Sequence, residues 1–520
     1  MDNKEFIALN YHESTKLGYI NLKTKPPLFK SYDVPNNIPL YDQLIEINVP
    51  TLRTISHTTP NAGKIFRLEH LASMLHMSSG VIKKNISTLG GELHYRAASS
   101  AGALYPIETY VVSASFDGLP DGVYHFNPLD CSLERIALGD YRNVISSGIT
   151  NANKVSGKPI TLIYTSIFWR STWKYRARGY RYCLWDNGTI IANLTSAANA
   201  FGIPYTMSSG FIDKLVGSVI GIDGEKEAVI CMVSLGKQTP KEQLVSNPAI
   251  YEPKTNDYEG EIEYPEVTSL HRVTTIASEQ DLSLWLHPIT EYTDSSAGPN
   301  IHLEKNVLLD VSKSLSETIM NRGSTRRFSR TPVSKEQFAN LLVHCTQPID
   351  SDVLNNIRPS LLDFYFIANS VTGIPNGSYY YSNNRQELEL IREGDFRSEA
   401  GHLCFEQALG ADASAVAFIM ADLNKVISEY GPRGYRIAQL EAGIRGGQLY
   451  LAAYSMGLGA SGITFYDDSV TEFFSPHSRS KTPMFVVTLG ETSVTNRVRP
   501  FRSRVAARLD ALARGANQTT

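Results

Sequence analysis

The sequence predicts an α+β fold written twice: two tandem domains, each a central sheet flanked by helices, forming an intramolecular pseudo-dimer. Two repeats and the chain's size predict it. Lys174 to Gly202 (KYRARGYRYCLWDNGTIIANLTSAANAFG) and Glu429 to Gly457 (EYGPRGYRIAQLEAGIRGGQLYLAAYSMG) align without a gap at a constant offset of 255 positions. Tyr175 falls on Tyr430, Arg178 to Arg181 on Arg433 to Arg436, and Gly188 on Gly443. The flanks repeat as well. GVYHFNPLDCSLERIALGDYR (Gly122 to Arg142) matches GSYYYSNNRQELELIREGDFR (Gly377 to Arg397), and VICMVSLG (Val229 to Gly236) matches FVVTLG (Phe485 to Gly490). A period this long marks a duplicated domain rather than a solenoid repeat. The chain has 520 residues, 42% of them apolar, enough for two full cores.

The elements follow in order. Residues 1–50 are punctuated by proline (KTKPPLFKSYDVPNNIPL) and read as an extended arm draped over the first domain, which spans 51–236. A polar, acidic linker, densest at EPKTNDYEGEIEYPE, covers 237–302; the second domain spans 303–491, and a basic tail covers 492–520. HLEKNVLLDVSKSLSETIMNR carries apolar residues at helical spacing and stops before Gly323. ETYVVSAS and DFYFIANS are β-branched and aromatic strands. GTIIANLTSAANAFG and GIRGGQLYLAAYSMG are apolar all round, rich in Ala and Gly, and closed by Gly202 and Gly457. Such helices bury themselves against another helix at close range. AVICMVSLG and MFVVTLG are near-continuous apolar runs, expected as central strands.

Composition excludes several function classes. A net charge of −3, from 49 basic and 52 acidic residues, provides no global field for nucleic acid or an anionic membrane. The five cysteines (Cys131, Cys183, Cys231, Cys345, Cys404) are odd in number and scattered, which argues against a disulfide framework or a CxxC metal site and for a reducing compartment. The N-terminus lacks an apolar signal region, and no apolar run reaches the ~18 residues of a membrane span. The expected location is the cytoplasm.

Four segments then carry a family resemblance: NYHESTK with PPLFKSY near the start, ASSAGALYPIETYVV, KYRARGYRY and RGSTRRFS. Together they make the chain resemble the SagB/ThcOx-type dehydrogenases, flavin oxidases of azole biosynthesis within the FMN-dependent nitroreductase superfamily. The resemblance implies two tandem nitroreductase-like units with FMN bound between them. It implies oxidation of a thiazoline or oxazoline to the aromatic azole, in a peptide or a carrier-bound intermediate, with a cyclodehydratase or carrier as partner.

FMN chemistry tests each half separately. A phosphate dianion calls for arginine forks and backbone N–H groups. The second half has Arg322, Ser324, Thr325, Arg326 and Arg327, matching the family's phosphate-binding motif, whereas LRTISHTTPNAGKIF in the first has no arginine cluster. Conversely, Ser99-Ser100-Ala101-Gly102 of the first half are small enough for backbone to approach a flavin, and Pro359 to Asp363 of the second are not. Because family dimers build each flavin site from both units, one composite site and one FMN per chain are expected. The same geometry implies that the Gly457 to Gly462 loop, with Gly459, Ala460, Ser461 and Gly462, lies against the ring, and that Arg497 and Arg499 close over the phosphate.

Lys174 and Tyr175 match the family's catalytic pair. Aromatising an azoline removes a proton from one carbon and a hydride from its neighbour; flavin supplies the electron chemistry and the protein supplies the base. A tyrosine needs a nearby cation to act as that base, and the adjacent lysine either provides one or is the base itself. Two neighbouring side chains reach one substrate from a loop or a helix start, not from a strand. In the second half Glu429 replaces the lysine. His94, His125 and His344 have no partner at metal-ligand spacing and read as surface or core residues, and Arg178 and Arg433, present in both halves, read as fold residues. Two other functions fit the pattern: an NAD(P)H-dependent nitro or quinone reductase, which needs no base, and a non-catalytic scaffold of a heterocyclase complex.

Overall fold

A computed structural model describes residues 22–34, 37–56, 65–86, 92–239, 258, 260–285, 298–303, 308, 310–354, 359–493 and 501–502. The strands of the first half are β1 (Asn37–Pro39), β2 (Val81–Ile86), β3 (Glu92–Arg96), β4 (Ile107–Ser113), β5 (Gly122–Asn127), β6 (Ser132–Leu138), β7 (Ile160–Ile167), β8 (Tyr205–Ser208) and β9 (Glu227–Leu235). Those that follow are β10 (Asn300–His302), β11 (Asp363–Ala368), β12 (Gly377–Ser382), β13 (Glu387–Glu393), β14 (Ala415–Ala421), β15 (Gly459–Gly462), β16 (Thr482–Gly490) and β17 (Phe501–Arg502). Two seven-stranded sheets result, ordered β1-β6-β5-β4-β7-β9-β8 and β10-β13-β12-β11-β14-β16-β15. The two orders are the same, so the duplication read in the sequence is a duplication of topology. A third sheet, β17-β2-β3, brings the end of the chain back to the first half.

Several elements differ from expectation for definable reasons. β9 and β16 sit one strand in from an edge, capped by the short β8 and β15, rather than in the centre. All nine positions of β9 are buried although its ladders are antiparallel, because both faces are covered. Ala228, Ile230 and Val233 join the main core, while Val229 and Met232 join a cluster on the opposite face. The middle strands β7 and β14, which the sequence reading passed over, are buried throughout for the same reason. The helix expected from His302 starts only at Leu315 and ends at Asn321, because Ser314 caps it by accepting a hydrogen bond from the Glu317 amide (3.2 Å). The arm and the linker are also less separate than expected: β1 and β10 each add an edge strand to their half's sheet.

At the centre the helices Gly179–Phe201 and Arg433–Ser455 cross on Gly188 and Gly443. A Cβ on Gly188 would lie 2.5 Å from the Gly443 carbonyl carbon, and one on Gly443 would lie 2.5 Å from the Trp185 carbonyl oxygen. Glycine is what lets the two backbones touch. The apolar core runs without interruption through this contact, from Leu75 and Ile191 to Leu341 and Leu449. No helix among the described residues is long and apolar enough to cross a membrane.

The repeated arginines fasten the two halves reciprocally. Arg178 and Arg181 reach Asp467 of the second half (2.7 and 2.6 Å), and Arg433 and Arg436 reach Asp213 of the first (2.6 and 3.1 Å). The Asp213 clasp is buried, with side-chain exposures of 3% for both arginines and 11% for the aspartate, whereas that of Asp467 is 26–31% exposed. Removing one member of a buried pair strands a charge, while an exposed pair contributes little. Asp213→Asn should therefore lower unfolding free energy by ~3–5 kcal/mol and Asp467→Asn by no more than ~1 kcal/mol. Equal losses in a urea titration would overturn this ranking.

Candidate composite active site

The candidate site is built from the end of one helix and a turn in the first half, and from the segment Arg322–Arg327 in the second. β3 delivers the chain into the turn Ser99–Gly102, which is held from behind by Asp186 of the first long helix. Ser100 Oγ donates to Asp186 Oδ2 (2.5 Å), the Ala101 amide donates to Oδ1 (3.0 Å), and Thr189 Oγ1 donates to the Ser99 carbonyl (2.8 Å). Gly102 sits at φ +64°, a conformation that disfavours other residues.

Lys174 and Tyr175 close the helix Phe168–Tyr175, which breaks at Arg176 (φ +52°). A helix end thus provides what was expected of a loop or helix start, and both side chains reach the same point. A Cβ added to Gly102 would lie 2.7 Å from Tyr175 Oη and 3.2 Å from Lys174 Nζ. Lys174 is exposed, Tyr175 is half-buried, and Lys174 Nζ stands 5.2 Å from the Tyr175 ring centroid. Burial, with Tyr182 and Asp186 adding to it, holds the Tyr175 phenol well above its ordinary range; Arg326 opposes this only in part. The lysine beside it does not turn Tyr175 into a ready base. Its phenol is a donor.

The second half meets this turn directly. Arg322 Nε donates to the Ala97 carbonyl (2.8 Å) and Nη2 to that of Arg96 (3.1 Å), so this arginine joins the halves just before Ser99. Ser324 Oγ pairs with Tyr450 Oη and Thr325 Oγ1 with Tyr454 Oη, both at 3.2 Å. Arg326 and Arg327 are exposed, and neither side chain has a hydrogen-bonding or ionic partner among the described residues. Arg326 lies within electrostatic reach of Tyr175 from the other half. Gly459 to Gly462, expected as a loop, is the edge strand β15, because its backbone pairs with Val487 to Gly490. The Thr325 amide donates to the Ala460 carbonyl (2.9 Å), Thr488 Oγ1 donates to that of Ser461 (3.1 Å), and a Cβ on Gly459 would run into Thr325 Oγ1. Arg497 and Arg499 lie outside the described residues.

At the mirror location the chain builds the same turn from bulkier residues. Glu441, the counterpart of Asp186, holds Ser360 Oγ (2.7 Å) and the Leu361 amide (2.9 Å) in the same manner. Leu362 takes the place of Gly102. Arg445, where the first half has Ile190, is fully buried; its Nη2 binds Glu441 Oε1 (2.9 Å) and the Pro359 carbonyl (2.6 Å). Asp186, Glu441 and Arg445 were missed by sequence reasoning, although the constant offset of 255 places both acids in register and exposes the Ile-to-Arg change. His125 is a core residue between Glu108 (3.0 Å) and Glu134 (2.8 Å), and the described residues contain no group of three or more His, Cys, Asp or Glu able to hold a metal.

Known proteins resemble this arrangement. The nitroreductase family matches residues 67–237 and again residues 319–490. Escherichia coli McbC, the microcin B17-processing protein, is 31% identical over 146 residues, covering 27% of this chain and 54% of that one. TfxB, the trifolitoxin-processing protein of Rhizobium leguminosarum, is 26% identical over 226 residues, covering 42% of this chain and 57% of that one. The chain thus spans only about half the length of these two relatives. A crystal structure of a putative nitroreductase from Anabaena variabilis superposes over 94% of this chain and 99% of its own, with a TM-score of 0.72 and 28% identity. With the family matched over well more than half its length, the chain belongs to the nitroreductase family and carries the family's domain twice.

Proposed function

We propose that the protein is an FMN-dependent dehydrogenase that oxidises a thiazoline or oxazoline, in a peptide or a carrier-bound intermediate, to the aromatic azole. One observation carries the reading: Lys174 and Tyr175 converge on the Ser99–Gly102 turn at the point where the second half brings Arg326. The donor set fits FMN. Arg326 and Arg327, whose guanidinium groups have no partner among the described residues, suit a phosphate dianion, and Ser99, Ser100 and Gly102 leave room for a flat ring to approach backbone. The same reading assigns Ser324, Thr325 and the β15 residues Gly459, Ala460, Ser461 and Gly462 to the second-half side of that space. Bound FMN supplies the two-electron acceptor.

The protein's own groups do the rest. Lys174, exposed at the helix end, takes the proton from the substrate carbon. Tyr175, kept neutral by burial, donates a hydrogen bond and orients the ring being oxidised. A nitro or quinone reductase needs neither group, so their convergence favours the dehydrogenase. The names of McbC, a microcin B17-processing protein, and TfxB, a trifolitoxin-processing protein, support a processing role; a peptide or carrier-bound substrate and a cyclodehydratase or carrier partner belong to the same proposal. All five cysteines are buried and unpaired, in keeping with work in the reducing cytoplasm.

Anaerobic mixing of the flavin-loaded protein with an azoline-containing peptide is expected to bleach the flavin band and to lighten the peptide by two hydrogens. Bleaching by NADH or NADPH alone, with azolines inert, would replace this reading with the reductase one.

A further inference from the structure

Asp186 is buried in the wall behind the turn, and its charge reaches Tyr175. Both halves hold their turn with an acid, but they treat the acid differently. Glu441 is paired by the fully buried Arg445. At the corresponding position beside Asp186 stands Ile190, which cannot form such a pair. The polar and titratable groups facing Asp186 are the Ser100 hydroxyl and Ala101 amide on the turn, Arg96 from β3, Tyr105, Tyr175 at the helix end, and Cys183 from its own helix. Arg96 is not a salt-bridge partner, because its Nη1 and Nη2 donate to the carbonyls of Ile107 (3.3 Å) and Leu28 (2.7 Å). Asp186, Ser99, Ser100, Arg96 and Ile190 share one small cavity behind the turn.

We propose that Asp186 is a positioning residue of the reaction proposed above, on which this inference rests: it fixes the turn that Lys174 and Tyr175 face and, lacking the salt bridge that neutralises Glu441, sets the charge beside Tyr175 by its ionisation. Burial raises the Asp186 carboxyl to about 7, the hydrogen bonds from Ser100 and Ala101 and the Arg96 charge opposing it only in part. Near neutral pH the site therefore gains a negative charge. That charge holds the proton on Tyr175.

The test uses Asp186→Asn, which keeps the side-chain shape and loses the charge. Flavin content should be unchanged. The rate of azoline-driven flavin reduction in wild type should change about tenfold or more through a limb near pH 7, and in the variant that limb should vanish. A uniformly lower rate with the limb intact would make Asp186 a mere support for the turn and overturn the proposal.

A second arm needs no substrate. Because the folded carboxyl titrates above its unfolded value of ~3.9, wild type loses stability as pH rises from there to about 7. The melting temperature of Asp186→Asn relative to wild type should then rise between pH 5 and pH 7.5. A constant difference would overturn the proposal even if azolines prove not to be the substrate, so its failure is separable from that of the functional reading. Should the asparagine variant not fold, Asp186→Glu takes its place, since a glutamate fills this role in the second half. It must retain the limb, and its loss would count against the proposal.

Discussion

Lys174→Ala is expected to leave the protein yellow and to slow azoline-driven flavin reduction by ~10²–10⁴-fold, the usual contribution of a positioned base. Lys174 is assigned to the substrate rather than to the flavin phosphate: it is exposed, and its Nζ faces Gly102 and the Tyr175 ring. Tyr175→Phe removes only the phenol hydrogen-bond donor and should also slow the step while keeping the flavin. The sharpest control is Tyr430→Phe. Tyr430 is the repeat partner of Tyr175, but it packs on Trp285, whose indole N–H donates to the Tyr430 carbonyl (2.9 Å), and it follows Glu429 rather than a lysine. Its loss should leave the rate nearly untouched. A slow Tyr430→Phe beside a normal Tyr175→Phe would move the chemistry to the other half.

Arg326→Ala and Ser100→Leu should each strip the flavin, although the two positions lie in different halves. Losing one charge-assisted contact to phosphate costs ~1.5–3 kcal/mol, about ten- to a hundredfold in affinity. Ser100→Leu acts on the other side of the site. It removes the hydroxyl that donates to Asp186 and accepts from the Tyr105 amide (2.9 Å), and it forces a branched side chain into the turn. Ser360→Leu should leave flavin content unchanged, because the chain builds that turn from bulkier residues. The expected absorbance ratio is one flavin per chain. A ratio near two, or equal flavin loss in Ser360→Leu and Ser100→Leu, would show that both locations bind.

The duplication, the long apolar helices and their C-terminal glycines were legible because they rest on local signals. Gly202 and Gly457 adopt φ +68° and +80°, and Gly188 and Gly443 meet where the constant offset pairs them. The arginine clasps were half legible: recurrence in both halves marked Arg178 and Arg433 as fold residues, but their acids, Asp467 and Asp213, lie in the opposite half and have no local signature. β7 and β14 were passed over because burial on both faces erases the alternation that identifies a strand. The β15 segment reads as a loop since three glycines in six residues signal a turn, whereas here their backbone pairs with β16. In the site, residue types were readable and their surroundings were not. Sequence places a lysine beside Tyr175, and only the packing shows that burial outweighs nearby cations in setting its proton affinity.

The crossing at Gly188 and Gly443 joins two copies that are no longer obliged to share one sequence. In a homodimer a single gene writes both clefts, so a substitution that plugs one plugs the other and abolishes the enzyme. Fusion lifts that constraint. Ile190 and Arg445 could then differ, one leaving the acid beside it without a salt bridge and the other supplying one, and a lysine could stand at one position while a glutamate took the other. On the proposed reading the second copy works as scaffolding, contributing Arg322, Arg326 and the β15 edge to the flavin cleft. Since both contributors are carried on one polypeptide, assembly of that cleft is intramolecular, and flavin retention should not fall as the protein is diluted.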